Sequence, residues 1–163
     1  MTAASYAALV EEADHTIGST LEAASPILRV EVKNKNILVT VKGTEPPWFE
    51  PVISKVQQLL KLAPNWDSYD ALPVKLHSAA AAIRFLGWAM QENTVRPSLI
   101  PTVEGNITLE WHTHGLDLEI TVSPDGPSYL SFENQSTGEV IEKPVSSESN
   151  VLGDVVRKIP VRR

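Results

Sequence analysis

Between Lys75 and Gln91 the chain carries apolar side chains on almost every side of a helix, and such a helix has to be buried on several sides. Leu76, Ala79, Ala80, Ile83, Leu86, Gly87 and Met90 form one wide stripe, while Phe85 and Trp88 lie off it. The alanines are small enough to let a neighbouring element come close. Pro97 and Pro101 mark the way out of this region, since proline removes a backbone donor and does not continue a helix. A helix of this kind needs cover from other elements, and the flanking sequence supplies it.

Ahead of it, Leu28, Val30 and Val32 alternate with Arg29, Glu31 and Lys33. Asn34-Lys35-Asn36 follows with turn chemistry, and Ile37, Val39 and Val41 resume the alternation. A period of two gives each strand one buried face, so Leu28 to Val41 reads as a hairpin. A first helix is expected from Trp48 to Leu62, with Val52, Val56, Leu59 and Leu60 on one stripe and Pro51 confined to its first turn. Behind the central helix comes a meander. Ile107, Leu109 and Trp111 make one strand, then a turn at His112 to Gly115, then Leu116, Leu118, Ile120 and Val122. Pro124-Asp125-Gly126 turns the chain into a strand over Tyr129 to Glu133, and a short fourth strand follows over Glu139 to Glu142. The expected class is α+β, with an N-terminal hairpin and a C-terminal meander packed on two central helices, and one mixed sheet layer as the simplest architecture. Residues 1–25 read as a helical arm, 26–145 as a single domain and 146–163 as a flexible basic tail.

Composition narrows the chemistry. The chain of 163 residues has a net charge of -6 and no cysteine. Thiol catalysis, disulfides and Cys-based zinc sites are excluded, and the acidic balance disfavours a protein that tracks phosphates. Residues Met1 to Ser25 contain Glu11, Glu12, Asp14 and Glu22, so they lack the basic start and apolar core of a secretory signal. No apolar run approaches the roughly 20 residues of a membrane span. The expected location is cytoplasmic.

Between the two helical patterns lies Asn65-Trp66-Asp67-Ser68-Tyr69-Asp70-Ala71-Leu72-Pro73, with two large aromatics and two acids in a short loop. Loops usually shed large aromatics, so this one is folded tightly or meets a partner. The string resembles an Asn-Trp-Asp-x-Tyr-x-Ala-x-Pro motif of small uncharacterised bacterial proteins. In these a strand of the form Gly-x-Ile-x-Leu-Glu-Trp comes later, matched here by Gly105, Ile107, Leu109, Glu110 and Trp111. An acidic alternating strand with an Asp-Gly turn follows, as at Leu116 to Gly126. The resemblance spans roughly Val56 to Glu142 and implies organisation, with no activity attached. The pattern carries Gly after the Tyr, where this chain has Asp70; Asp can adopt positive φ there at modest cost.

Trp66, Asp67, Tyr69 and Asp70 are therefore candidates for binding a protein partner, with the aromatics as anchors. The competing reading has Trp66 plugging the space between the helices and Asp67 accepting bonds from nearby backbone N–H groups. Glu110, His112 and His114 form a Glu-x-His-x-His string that would share one strand face and could hold a metal. Asp117 and Glu119 alternate on one strand and read as its solvated face. There is no Gly-rich phosphate loop and no Gly-x-Ser-x-Gly elbow, and His15 and His77 have no triad context. Arg157, Lys158, Arg162 and Arg163 give the tail its charge, a route to nucleic acid. Val151, Leu152, Val155, Val156 and Ile159 give the segment before its end an apolar side that would fold on binding. The leading expectation is a non-enzymatic protein-interaction module without a cofactor, of the immunity, antitoxin-like or operon-accessory kind in a bacterium or phage. The alternative is a metal-binding enzyme or sensor using Glu110, His112 and His114.

Overall fold

The computed structural model describes residues 27–146 and 150–159. The expected N-terminal arm, residues 1–25, lies outside the described residues, as do Arg162 and Arg163. Strands β1 (Ile27–Lys33) and β2 (Asn36–Lys42) pair as a hairpin, and α1 (Phe49–Leu59) and α2 (Leu76–Ala89) follow. Then come β3 (Ser98–Pro101), β4 (Ile107–Thr113), β5 (Leu116–Val122), β6 (Ser128–Asn134), β7 (Glu139–Val145) and α3 (Asn150–Arg157). The class is α+β as expected, but the strands form two sheets and not one layer. One is the antiparallel β1-β2 pair, and the other runs antiparallel in the order β3-β4-β5-β6-β7.

The large sheet turns one face inward because its strands alternate. Leu109 lies opposite Ile120, which lies opposite Leu130, and Trp111, Leu118 and Phe132 make the next row. All six are buried. The intervening residues Glu110, Glu119 and Ser131 form a row on the other face. Trp111 closes its row by donating its indole N–H to the Val95 carbonyl oxygen at 2.7 Å.

Strand β3 is a difference from the sequence reading, which placed only a proline-marked link there. The four residues Ser98–Pro101 are too few to show a period. The pairing of Leu99 with Leu109 nevertheless buries Leu99 and makes β3 an edge strand, where proline is tolerated.

Helix α2 is central, as its composition requires. It contacts β1, β2, β4, β5, α1 and α3. Ala79, Ala80, Ala82 and Leu86 have no exposed surface. Gly87 makes room for the hairpin, since a Cβ there would lie 2.8 Å from Leu28 Cβ. Arg84 adds a polar tie, donating from Nε and Nη2 to the Val30 carbonyl oxygen at 3.2 and 3.0 Å.

The stretch expected to be a flexible tail carries α3. Leu152, Val155, Val156 and Ile159 are buried in the common core, and Gly153 faces the Trp88 ring. The apolar side read in the sequence thus packs within this chain. Among the described residues no helix is long and apolar enough to cross a membrane.

Candidate functional site

The loop after α1 is closed by its own polar groups. Asn65 donates its N–H to the Ala71 carbonyl oxygen at 2.8 Å, and Ser68 N–H returns to the Asn65 carbonyl oxygen at 3.1 Å. The Asn65 side-chain oxygen accepts from Asp70 N–H at 2.8 Å. Asp67 Oδ1 accepts from the N–H groups of Tyr69 at 2.8 Å and Ala71 at 3.0 Å. Those amides, Tyr69 foremost, hold the Asp67 carboxyl below its ordinary range, because they favour the charged form. Trp66 donates its indole N–H to the Leu72 carbonyl oxygen at 3.1 Å. Asn65, Ser68 and Asp70 all take positive φ, at 62°, 67° and 65°. Three left-handed residues without a glycine in so short a span form a strained turn that only a dense set of hydrogen bonds can hold.

A second loop braces the first. Leu72 N–H donates to the Val103 carbonyl oxygen, and Lys75 N–H to that of Gly105, both at 2.8 Å. Gly105 sits at φ 80°, and a Cβ there would collide with the Pro73 carbonyl oxygen. The glycine that opens the Gly-x-Ile-x-Leu-Glu-Trp string therefore seats the Trp66–Pro73 loop.

The four candidates divide. Asp67 is the turn-forming acceptor of the competing reading. Trp66 is half-buried, with its N–H spent inside the loop, and so is a strut more than a core plug. Asp70 is exposed. Tyr69 projects with 87% of its surface free. Sequence reasoning missed two neighbours. Leu72 and Val103, joined through their backbones, are 52% and 51% exposed. The signal for Leu72 was present, as an apolar residue inside a turn-rich motif; the signal for Val103 was not, since nothing local ties it to a loop some thirty positions earlier.

The expected Glu110–His112–His114 face does not form. Strand β4 ends at Thr113, and His114 falls in the turn at φ 51°, outside the strand's alternation. His114 Nδ1 instead shares a hydrogen bond with the Thr113 hydroxyl at 2.7 Å. His112 pairs across the ladder with Asp117, Nδ1 to Oδ1 at 2.8 Å, and lies 3.4 Å from Glu110 Oε2. Asp117 chiefly, with Glu110 helping, raises the imidazole's pKa. Asp117 also accepts from Gln135 Nε2 at 2.9 Å. Among the described residues no three His, Asp or Glu side chains are placed to hold a metal ion.

The basic residues within α3 and just after it are also committed. Arg157 bonds Asp154 at 2.7 Å. Lys158 reaches Glu139 on β7 at 2.7 Å and lies over the Phe132 ring, 5.1 Å from its centroid. Comparison with family models, with curated proteins and with solved structures gives no match.

Proposed function

We propose that this chain is a non-enzymatic protein-interaction module of the immunity, antitoxin-like or accessory class, and that the Trp66–Pro73 loop is its contact surface. One observation carries the reading. Tyr69 stands almost fully exposed on a strained turn that the Asn65 and Asp67 side-chain oxygens hold closed by accepting from its backbone N–H groups. Strain without glycine persists where the surroundings over-determine it, and such sites cluster at ligand clamps and binding sites. A rigid aromatic presented in this way is a low-entropy anchor for a partner's pocket. In this reading Leu72 and Val103 extend the apolar surface beside it, Asp70 and Glu104 supply charge at its margin, and Trp66 and Asp67 serve by keeping the turn closed.

The test is a pull-down from the native host, read by mass spectrometry, with wild type and Tyr69→Ala compared. Tyr69 makes no side-chain hydrogen bond among the described residues, so the variant should keep the wild-type Tm within ~1 °C, as surface substitutions do. A stoichiometric partner should fall at least tenfold in the variant, the ~1.4 kcal/mol or more expected of an aromatic anchor. Equal recovery with both proteins, or loss of folding in the variant, would remove Tyr69 from the surface.

A further inference from the structure

The hairpin has one strand edge whose direction can be worked out residue by residue. Asn34 and Lys35 form its two-residue turn at φ 51° and 60°, the left-handed pair of a type I′ turn. In such a turn the flanking residues, Lys33 and Asn36, exchange both of their hydrogen bonds. Pairs along an antiparallel ladder then alternate. Glu31–Leu38 and Arg29–Thr40 are bonded pairs, while Val32–Ile37, Val30–Val39 and Leu28–Val41 point their N–H and C=O groups outward. Arg84 confirms the phase independently, because the Val30 oxygen it binds lies on the outer side of β1. On β2 the same phase turns the N–H and C=O groups of Ile37, Val39 and Val41 to the open edge. Among the described residues no backbone group is bonded to them across that edge.

Beside the edge runs a groove of about 770 Å³ between β2 and α1. Ile37 and Val39 line one wall, Ile53, Val56 and Leu60 the other, and Ile83 of α2 lies in the lining as well. Among the described residues, its charged lining residues are Lys35 and Lys61, on a chain whose net charge is -6. A two-stranded sheet is marginal by itself, and an open edge is a template for another strand.

We propose that β2 receives an extended segment of a partner protein, one that alternates apolar residues with carboxylates. Its backbone would pair with Ile37, Val39 and Val41. Its apolar side chains would enter the groove on the same side as Ile37 and Val39, and its carboxylates would meet Lys35 and Lys61. This is strand addition, in which main-chain bonds give affinity and the groove selects alternate side chains. The lining shares no residue with the Tyr69 surface, so this second site stands or falls separately from the first.

The experiment is amide hydrogen exchange by NMR on the full chain, with a short synthetic peptide alternating Glu and Val as probe. A matched peptide with Lys in place of Glu is the control. In the chain alone, Ile37, Val39 and Val41 should exchange fast while Leu38 and Thr40 are protected. The Glu–Val peptide should slow the first three at least tenfold, and the Lys–Val peptide should bind at least tenfold more weakly. Lys61→Glu should weaken the Glu–Val peptide to a similar degree. Val41→Pro removes one outward N–H and leaves the ladder to β1 whole, and should cost about five- to tenfold in affinity. Three results would overturn the proposal. Ile37, Val39 and Val41 could be protected before any peptide is added, which would mean that residues 1–26 or a second copy already covers the edge. The peptide could leave their exchange unchanged. The two peptides could bind alike to wild type and to Lys61→Glu.

Discussion

At Asp70 the backbone asks for a conformation that the side chain only tolerates. Its φ of 65° belongs to the left-handed region, which glycine enters without steric cost. Asp70→Gly relieves that strain but frees the unfolded chain, so the two effects should cancel to within ~0.5 kcal/mol in urea unfolding. Asp70→Val should cost about 1–2 kcal/mol, because a β-branched side chain is poorly accommodated there. Equal stability of the Gly and Val variants would show that the loop relaxes freely. His112 gives a second residue-scale expectation. Asp117 and Glu110 favour its protonated form in the fold, so their contribution is full below the unfolded value of 6.5 and is lost as pH rises through the higher folded value. An imidazole NMR titration should show a midpoint above 6.5, and Asp117→Asn should move it down. An unchanged midpoint in Asp117→Asn would assign the shift elsewhere.

Elements meet where side chains are missing. At Gly87 a new Cβ would lie 2.5 Å from Leu28 Cδ1, 2.8 Å from its Cβ and 2.9 Å from its Cγ, so the clash reaches that side chain's rigid base as well as its flexible end. Overpacking of this kind costs about 1–3 kcal/mol, against about 1 kcal/mol gained from alanine's helix propensity. Gly87→Ala should therefore destabilise by about 1 kcal/mol in chemical unfolding, and Leu28→Ala in the same chain should restore part of the loss. A more stable Gly87→Ala would mean that the hairpin does not rest on α2 as described. The same geometry explains what the sequence revealed. Alternation at Leu28–Val41 and Ile107–Val122, and the all-round apolar run of α2, report burial directly, so those elements could be read in advance. Strand β3 could not, because what makes it a strand is Leu109 across the ladder and not anything between Ser98 and Pro101. The Asp67 turn was legible as an acid placed to cap backbone amides. The support from Gly105 and Val103 was not, being a contact between segments that only the fold brings together. His114 misled because a period of two holds only while the strand lasts.

In the molecule as a whole, α3 belongs to the cooperative unit. Leu152 has no exposed surface, and α3 packs on α2. Leu152→Ala should cost about 2–5 kcal/mol and shift the entire unfolding transition. A variant with the wild-type midpoint, measured by both far-UV circular dichroism and tryptophan fluorescence, would make α3 an appendage. The two sheets also differ in how they can be assembled. In the meander every strand pairs with the next in sequence, so each can add to the one before it as soon as both exist. The hairpin's main support is α2, and the Arg84–Val30 tie spans 54 positions of chain. During synthesis, β1 and β2 emerge ahead of α2, and at ~5–20 residues per second they wait for seconds before it arrives. The portion of the described fold that is made earliest is thus docked only after a later one.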